Sequence, residues 1–132
     1  MVEQKIIVCL DDDPDDRDLL TSAIKDVDSS LKVINGDNGI KGMYILEQLK
    51  QIGQIPCLII LDLNMPLMDG QQTLAEIKKD ADLKKVPVVV FTTSSLEKNN
   101  TYFSTQGVPV VIKPVRYGSI VDQVRELLSY CK

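Results

Sequence analysis

The sequence predicts an α/β fold in which helices cover both faces of a parallel β-sheet. Short, nearly continuous apolar runs rich in valine and isoleucine recur along the chain, as in strands buried on both sides. Between them lie segments whose apolar residues share one helical face, so strands and helices alternate five times. The length of 132 residues is that of one ordinary domain, and we expect a single domain over residues 1–132.

The strands are predicted in chain order from these apolar runs. The first strand is "KIIVCL", the third "CLIILDL", the fourth "VPVVVFT" and the fifth "PVVIK". The run "LKVIN", between the first and the third, is the least apolar. We therefore expect the second strand at an edge of the sheet.

The helices are predicted from apolar residues spaced to lie on one face. The first helix has the face Leu19, Leu20, Ala23, Ile24 and Val27, the third has Leu74 and Ile77, and the last has Ile120, Val121, Val124, Leu127, Leu128 and Cys131. Asp69 and Gly70 are expected to form the turn into the third helix. Tyr102 and Phe103 are expected to pack inside rather than to mark a partner surface.

Composition and charge argue against several classes of function. The net charge of −4 and the pI near 4.8 disfavour nucleic-acid binding, which depends on lysine and arginine neutralising phosphates. The apolar runs are far shorter than the roughly 20 residues that span a bilayer, and "MVEQK" does not resemble a signal peptide. We therefore expect a cytoplasmic protein that binds neither nucleic acid nor membrane.

The cysteine and histidine content argues against further classes. Cys9, Cys57 and Cys131 are odd in number and widely spaced, and the chain has no C-x-x-C pair and no histidine. We therefore expect neither a disulfide framework nor a zinc site, and no histidine-based catalysis.

The stretch "LDDDPDDRD" places six aspartates directly after the first strand. Residues 13–16 have a structural explanation, because Asp13 can cap the first helix and proline and acidic residues suit its first turn. Asp11 and Asp12 lie before the cap, where close carboxylates need a counter-cation. This pair is therefore the part of the cluster that indicates function.

The residues that directly follow the strands are the candidates for function, because functional groups of open parallel sheets gather at the carboxyl ends of strands. Besides Asp11 and Asp12, they are Asp62, Thr92 and Lys113. Three carboxylates without histidine or cysteine suit Mg²⁺, while hydroxyl and ammonium groups can donate to phosphoryl oxygens. The set indicates a phosphoryl-transfer site with a carboxylate nucleophile.

Four motifs, "CLDDDP", "LIILDLNMPLMDG", "VVVFTT" and "VVIKP", resemble in order and spacing the receiver domain of two-component response regulators. The resemblance covers essentially the whole chain. It implies a flavodoxin-like (βα)5 fold, a doubly wound sandwich whose five-stranded parallel sheet has the order 2-1-3-4-5. Because the chain ends after the fifth helix, we expect a stand-alone receiver without an output domain. Its partners would be a sensor histidine kinase or phosphotransfer protein and an unknown downstream protein.

The resemblance also implies a role for each site residue. Asp62 would accept the phosphoryl group from a phosphohistidine and share in Mg²⁺ binding. Asp12 would bind Mg²⁺ directly and Asp11 mainly through water, with the backbone carbonyl of Asn64 as a further ligand. Lys113 would pair with Asp62 or with its phosphate.

A second group of residues would carry the response to phosphorylation. Thr92 would move toward the phosphate, and the bond between Lys113 and Pro114 is expected to be cis. Many receivers have an aromatic residue where this chain has Val110, so no large ring is present to move there. We therefore expect the change in the loop after Thr93 and in the helix that follows.

Two other functions stay open at this point. "LDDDP" also contains the Asp-x-Asp of Mg²⁺-dependent phosphatases of the haloacid dehalogenase type, in which Asp11 would be the nucleophile. That family needs a further acidic pair after the lysine, whereas only Asp122 and Glu126 follow here, and "DLNMP" would be unexplained. The other alternative is a degenerate receiver that acts only as an interaction module, although each expected phosphorylation residue is present.

Overall fold

The computed structural model describes residues 4–93 and 97–131, apart from the side chains of residues 97–100. Five parallel strands form one sheet: β1 (Ile6–Leu10), β2 (Lys32–Gly36), β3 (Leu58–Leu61), β4 (Val88–Thr92) and β5 (Val110–Ile112). Their order across the sheet is β2-β1-β3-β4-β5. This order confirms the predicted flavodoxin-like fold. It places the point where the strand order reverses between β1 and β3.

Five α-helices alternate with the strands: α1 (Pro14–Val27), α2 (Gly39–Gln51), α3 (Gly70–Lys79), α4 (Glu97–Thr105) and α5 (Tyr117–Leu127). Short 3₁₀ helices, Leu83–Lys85 and Leu128–Tyr130, follow α3 and α5. In the described part of the chain, no helix has the length and apolar character needed to cross a membrane.

Side chains alternate along β1 and so contribute to two separate hydrophobic cores. Ile6, Val8 and Leu10 face one core, and Ile7 and Cys9 face the other. The first core is completed by Leu46, Leu49, Leu74, Ile77 and Phe103 of α2, α3 and α4, and the second by Leu20, Ala23, Ile24, Ile120, Val124 and Leu127 of α1 and α5. The sheet therefore has helices on both faces, and the predicted burial of Phe103 is confirmed.

Two details concern how the elements pack at the periphery. Strand β2 pairs only with β1 and so lies at an edge of the sheet, as predicted. Leu19 was expected on the buried face of α1, but it is 42% exposed. The reason is that Leu20, Ala23 and Ile24 already fill the contact with the sheet.

The sequence argued against a disulfide framework, but the structure contains one disulfide that the sequence did not predict. Cys57 and Cys131 are joined, with their Cα atoms 4.7 Å apart, although 74 residues separate them. Cys57 directly precedes β3, and Cys131 follows the last 3₁₀ helix, so the return of α5 along the sheet brings them together. Cys9 in β1 is free and buried. Burial, with a smaller effect from the charge of Asp11, raises the pKa of the Cys9 thiol to about 12.

Candidate functional site

The carboxyl ends of β1 and β3 bring Asp11 and Asp62 together. The backbone N–H of Asp62 donates to the carbonyl of Leu10 at 2.9 Å, and that of Asp11 donates to the carbonyl of Gly36 at 3.0 Å. Asp11 and Asp62 are 5% and 7% exposed, and within the described residues no other charged residue is buried. The sheet thus holds two carboxylates in a buried position where the strand order reverses.

Asp12 adds a third carboxylate at the mouth of the site. It is exposed, yet carboxylate oxygens of Asp11, Asp12 and Asp62 lie within 4.8 Å of one another. Asn64, the further predicted ligand, follows two residues after Asp62 in the loop between β3 and α3 and is exposed. Donors that are all oxygen suit Mg²⁺ or Mn²⁺, so the residues present fit the predicted ion.

Hydrogen bonds within the acidic cluster hold the turn between β1 and α1. The carboxylate of Asp13 accepts from the N–H groups of Asp15 at 2.9 Å and Asp16 at 3.3 Å, and so caps α1 as predicted. The N–H of Asp13 in turn donates to the carboxylate of Asp11 at 3.0 Å. The guanidinium of Arg17 donates to the carbonyl of Asp11 at 2.8 Å. Asp11 is therefore fixed through both its side chain and its backbone.

The loop between β3 and α3 is shaped by residues of the "MDG" motif. Asp69 caps α3, and its side chain and that of Gln72 form a reciprocal capping box. A Cβ atom at Gly70 would collide with the carbonyl of Asp62 and lie 2.8 Å from the Cα of Leu63. These contacts confirm that Asp69 and Gly70 shape the loop, as the sequence indicated.

Lys113, directly after β5, reaches across the site with its side chain. Its Nζ atom lies 2.5 Å from a carboxylate oxygen of Asp11, 2.9 Å from one of Asp16 and 3.3 Å from one of Asp62. Burial lowers the pKa of this ammonium, but the hydrogen bonds to Asp11 and Asp16 and the charge of Asp62 raise it by more. The net effect keeps the pKa above its usual value, so Lys113 is a cation at neutral pH.

Asp11 is the carboxyl group most affected by this environment. Burial raises its pKa to about 6, although the hydrogen bonds from Lys113 and from the N–H of Asp13 lower it. The nearby charge of Asp62 raises it further. Burial and the neighbouring negative charges disfavour ionised carboxylates at this site. A bound cation would reduce this repulsion, so the carboxylates favour cation binding.

Asp16 is a site residue that the sequence reasoning missed. The sequence assigned it only to the first turn of α1, whereas its carboxylate pairs with Lys113 at 2.9 Å. A signal for this was present, because Leu20, one helical turn later, belongs to the buried face of α1. Asp16 therefore had to point toward the sheet.

The expected cis bond between Lys113 and Pro114 is wrong. Within the described residues, every peptide bond is trans. The trans isomer is the intrinsically preferred one, by about 0.5–1 kcal/mol before proline. With it, the side chain of Lys113 already reaches three carboxylates.

The residues predicted to respond to phosphorylation lie beside these charged groups. Thr92 ends β4 and is buried, and its carbonyl accepts from the N–H of Lys113 at 2.8 Å. Val110 begins β5 and is partly buried against the core under α2, α3 and α4. The loop expected to carry the response includes residues 94–96, which lie outside the described residues.

A cavity of about 260 Å³ adjoins the site between α1 and the segment after β5. Phe91, Pro114 and Val115 contribute apolar walls, whereas Asp16 and Lys113 contribute charged groups. The cavity therefore leaves open space beside Asp16 and Lys113, on the side of the site that faces α1.

Comparisons with known proteins agree with this geometry. The chain matches the family model of the response regulator receiver domain over residues 7–125. It is 39% identical over 95 residues to the response regulator Rcp1 of Synechocystis sp. (strain ATCC 27184 / PCC 6803 / Kazusa). That alignment covers 70% of this chain and 65% of Rcp1, so it spans slightly less than two thirds of this relative.

Two solved structures are similar over nearly the whole chain. The phosphorylated cyanobacterial phytochrome response regulator RcpA superposes with a TM-score of 0.86 at 30% identity, covering 98% of this chain and 94% of RcpA. The Mn²⁺-bound form of Rcp1 gives a TM-score of 0.82 at 32% identity, covering 95% and 92%. Fold and acidic site together define a CheY-like signalling domain of two-component systems. The chain belongs to the family of response regulator receiver domains.

Proposed function

We propose that this chain is a response regulator that accepts a phosphoryl group from a phosphohistidine onto Asp62. The observation that carries the proposal is the position of Asp62, buried at the end of β3 with the ammonium of Lys113 3.3 Å from its carboxylate. The carboxylates of Asp11 and Asp12 lie beside it. Membership of the receiver family supports the same chemistry and favours it over the phosphatase alternative.

In the proposed reaction, a carboxylate oxygen of Asp62 attacks the phosphorus atom of the phosphohistidine. A P–O bond forms while the P–N bond to the imidazole breaks, and the imidazole leaves with the bonding electrons. An ionised carboxylate needs no separate general base for this step. Lys113 neutralises charge on one phosphoryl oxygen, and the hydroxyl of Thr92 donates to another.

The proposed Mg²⁺ site uses the predicted ligands. Asp12, Asp62 and the carbonyl of Asn64 would hold the ion directly, and Asp11 mainly through water. When bound, Mg²⁺ reduces the repulsion between the carboxylate and the incoming phosphoryl group. The exposure of Asp12 suits an ion that keeps several waters, and Asp11 already accepts a hydrogen bond from Lys113.

The proposed partners follow from this role. A sensor histidine kinase or phosphotransfer protein supplies the phosphoryl group in the cytoplasm, and the phosphorylated form binds a further protein. We propose that residues 1–132 act as one receiver domain that contacts neither nucleic acid nor membrane. The nearly complete coverage of the RcpA and Rcp1 structures, at 94% and 92%, supports this domain organisation.

Intact-mass spectrometry after exposure to acetyl phosphate and Mg²⁺ tests the proposal. The wild-type protein is expected to gain one phosphoryl group, and Asp62→Asn none. Asp15→Asn, which removes an exposed carboxylate of the same cluster, serves as the control and should gain it at the wild-type rate. A gain abolished in Asp11→Asn but kept in Asp62→Asn would favour the phosphatase function. No gain in any of these proteins would indicate a degenerate receiver.

A further inference from the structure

Asp16 is a fourth carboxylate of the site, and it lies outside the group that could hold a metal ion. That group consists of Asp11, Asp12 and Asp62. Asp16 instead contacts the ammonium of Lys113 at 2.9 Å from the first turn of α1. Among the described contacts of this ammonium, Asp16 is thus the one carboxylate that the proposed metal site does not use.

Mg²⁺ and the ammonium of Lys113 would draw on the same carboxylates. The Nζ atom lies 2.5 Å from Asp11 and 3.3 Å from Asp62, so it contacts two of the three carboxylates of the proposed metal site. Two cations that share one small pocket repel each other. This repulsion favours a shift of the ammonium away from Asp11 and Asp62 when Mg²⁺ binds.

The surroundings of Lys113 limit where it can go. Its side chain is only 9% exposed, and an ammonium with so little access to water needs a charged or hydrogen-bonding partner. The carboxylate of Asp16 is already in contact. The cavity lined by Asp16 and Lys113 gives the side chain room to move toward α1.

We infer that Asp16 is a positioning residue that takes over the ammonium of Lys113 when Mg²⁺ occupies the site. This inference rests on the metal site of the proposed function. With its ammonium on Asp16, Lys113 no longer competes for the oxygens of Asp11 and Asp62. It stays close enough to meet a phosphoryl group on Asp62.

Mg²⁺ titrations of the unphosphorylated protein, followed by its amide resonances, test this role. Asp16→Asn is expected to weaken Mg²⁺ affinity about fivefold, because Lys113 then remains on the carboxylates that the metal needs. Asp15→Asn removes the same charge from the neighbouring position, and the structure describes no contact between Asp15 and Lys113. It is expected to weaken the affinity about twofold or less. Asp16→Glu keeps a carboxylate within reach of the ammonium and should restore most of the loss.

The Asp16→Asn substitution in a Lys113→Gln variant separates an effect through Lys113 from the simple loss of a negative charge. Lys113→Gln removes the ammonium, so adding Asp16→Asn to it should change Mg²⁺ affinity about twofold or less. The inference is wrong if Asp16→Asn has the same effect in both backgrounds, or if it has no more effect than Asp15→Asn. If the role of Asp16 is refuted but the wild type still binds Mg²⁺, the proposed function is unaffected. If the wild type binds no Mg²⁺, the inference and the proposed metal site both fail.

Discussion

The ammonium of Lys113 lies closer to the carboxylate of Asp11, at 2.5 Å, than to that of Asp62, at 3.3 Å. It also contacts Asp16 at 2.9 Å, so this single ammonium pairs with three carboxylates. Two of these carboxylates are buried. The electrostatics of the site therefore depend on this lysine, and an added divalent cation would compete with it.

Removing the charge of Lys113 is expected to destabilise the protein when Mg²⁺ is absent. Lys113→Gln leaves the buried carboxylates of Asp11 and Asp62 without their cation, and we expect a loss of about 2–4 kcal/mol in the free energy of unfolding. Millimolar Mg²⁺ should recover much of this loss, because it supplies the missing positive charge. Urea denaturation with and without Mg²⁺ measures both effects.

The matched control is Lys79→Gln. Lys79 also pairs with a carboxylate, that of Glu76 at 3.5 Å, but its side chain is 73% exposed. We expect this substitution to change the free energy of unfolding by less than about 0.5 kcal/mol. Equal losses for the two lysines would show that the buried cluster is not held by Lys113.

Mg²⁺ affinity is expected to depend on pH through Asp11, whose pKa is raised from 3.8 to about 6. Between pH 3.8 and about pH 6, Asp11 is protonated in the folded protein but ionised in the unfolded chain. Without Mg²⁺, the stability contributed by this group is therefore full below pH 4 and falls as the pH rises to about 6. Mg²⁺ binds the ionised form, so its affinity should fall about tenfold between pH 7 and pH 5.

Calorimetric titration at several pH values measures this dependence. The control is Asp11→Asn, in which the affinity should be lower throughout and should vary less with pH. An affinity for Mg²⁺ that is the same at pH 5 and pH 7 would rule out Asp11 as part of the metal site.

The response to phosphorylation is expected to depend on Thr92 and little on Val110. A charge-assisted hydrogen bond from the Thr92 hydroxyl to a phosphoryl oxygen contributes roughly 1.5–3 kcal/mol, enough to shift a two-state equilibrium. Val110 has no large ring to move, and it packs against the core. Phosphorylation should therefore change the amide spectrum from Thr93 to Gly107 in the wild type and in Val110→Ala, but not in Thr92→Ala.

The variants must be compared at equal extents of phosphorylation, measured by intact mass. Loss of the spectral change in Val110→Ala, with retention in Thr92→Ala, would overturn this account of the response.

The disulfide between Cys57 and Cys131 is expected to be visible as a thiol count. Protein denatured without reductant should expose one reactive thiol, that of Cys9, and reduced protein should expose three. Cys131→Ser should lower the free energy of unfolding by about 2–5 kcal/mol under oxidising conditions, because it opens a long covalent loop. Under reducing conditions the two proteins should differ much less. Three reactive thiols without reductant would show that the bond is not formed in the protein as isolated.

The fold was predictable because its signals are local. The nearly continuous apolar run "KIIVCL" and the less apolar run "LKVIN" are local features of the sequence. They indicated that β1 is buried on both faces and that β2 lies at an edge. The cap formed by Asp13 and the turn formed by Asp69 and Gly70 depend on short-range hydrogen bonds. These features need no knowledge of the tertiary structure.

The features that the sequence missed depend on where distant segments meet. Cys57 and Cys131 pair because α5 returns along the sheet to the start of β3. The helical pattern could place Asp16 on the side of α1 that faces the sheet, but its contact with Lys113, 97 residues later, depends on the tertiary structure. The sequence did predict that Asp11, Asp62 and Lys113 lie at one edge of the sheet. It did not predict how Lys113 divides its contacts among the carboxylates.

The central claim is that Asp62 carries the phosphoryl group, and chemical trapping of the acyl phosphate tests it most directly. Borohydride reduces an aspartyl phosphate to the alcohol, which marks the modified side chain permanently and can be located by peptide mass spectrometry. After treatment with acetyl phosphate and Mg²⁺, we expect the reduced side chain at position 62 alone. Reduction at Asp11 or Asp12, with Asp62 unchanged, would contradict the account.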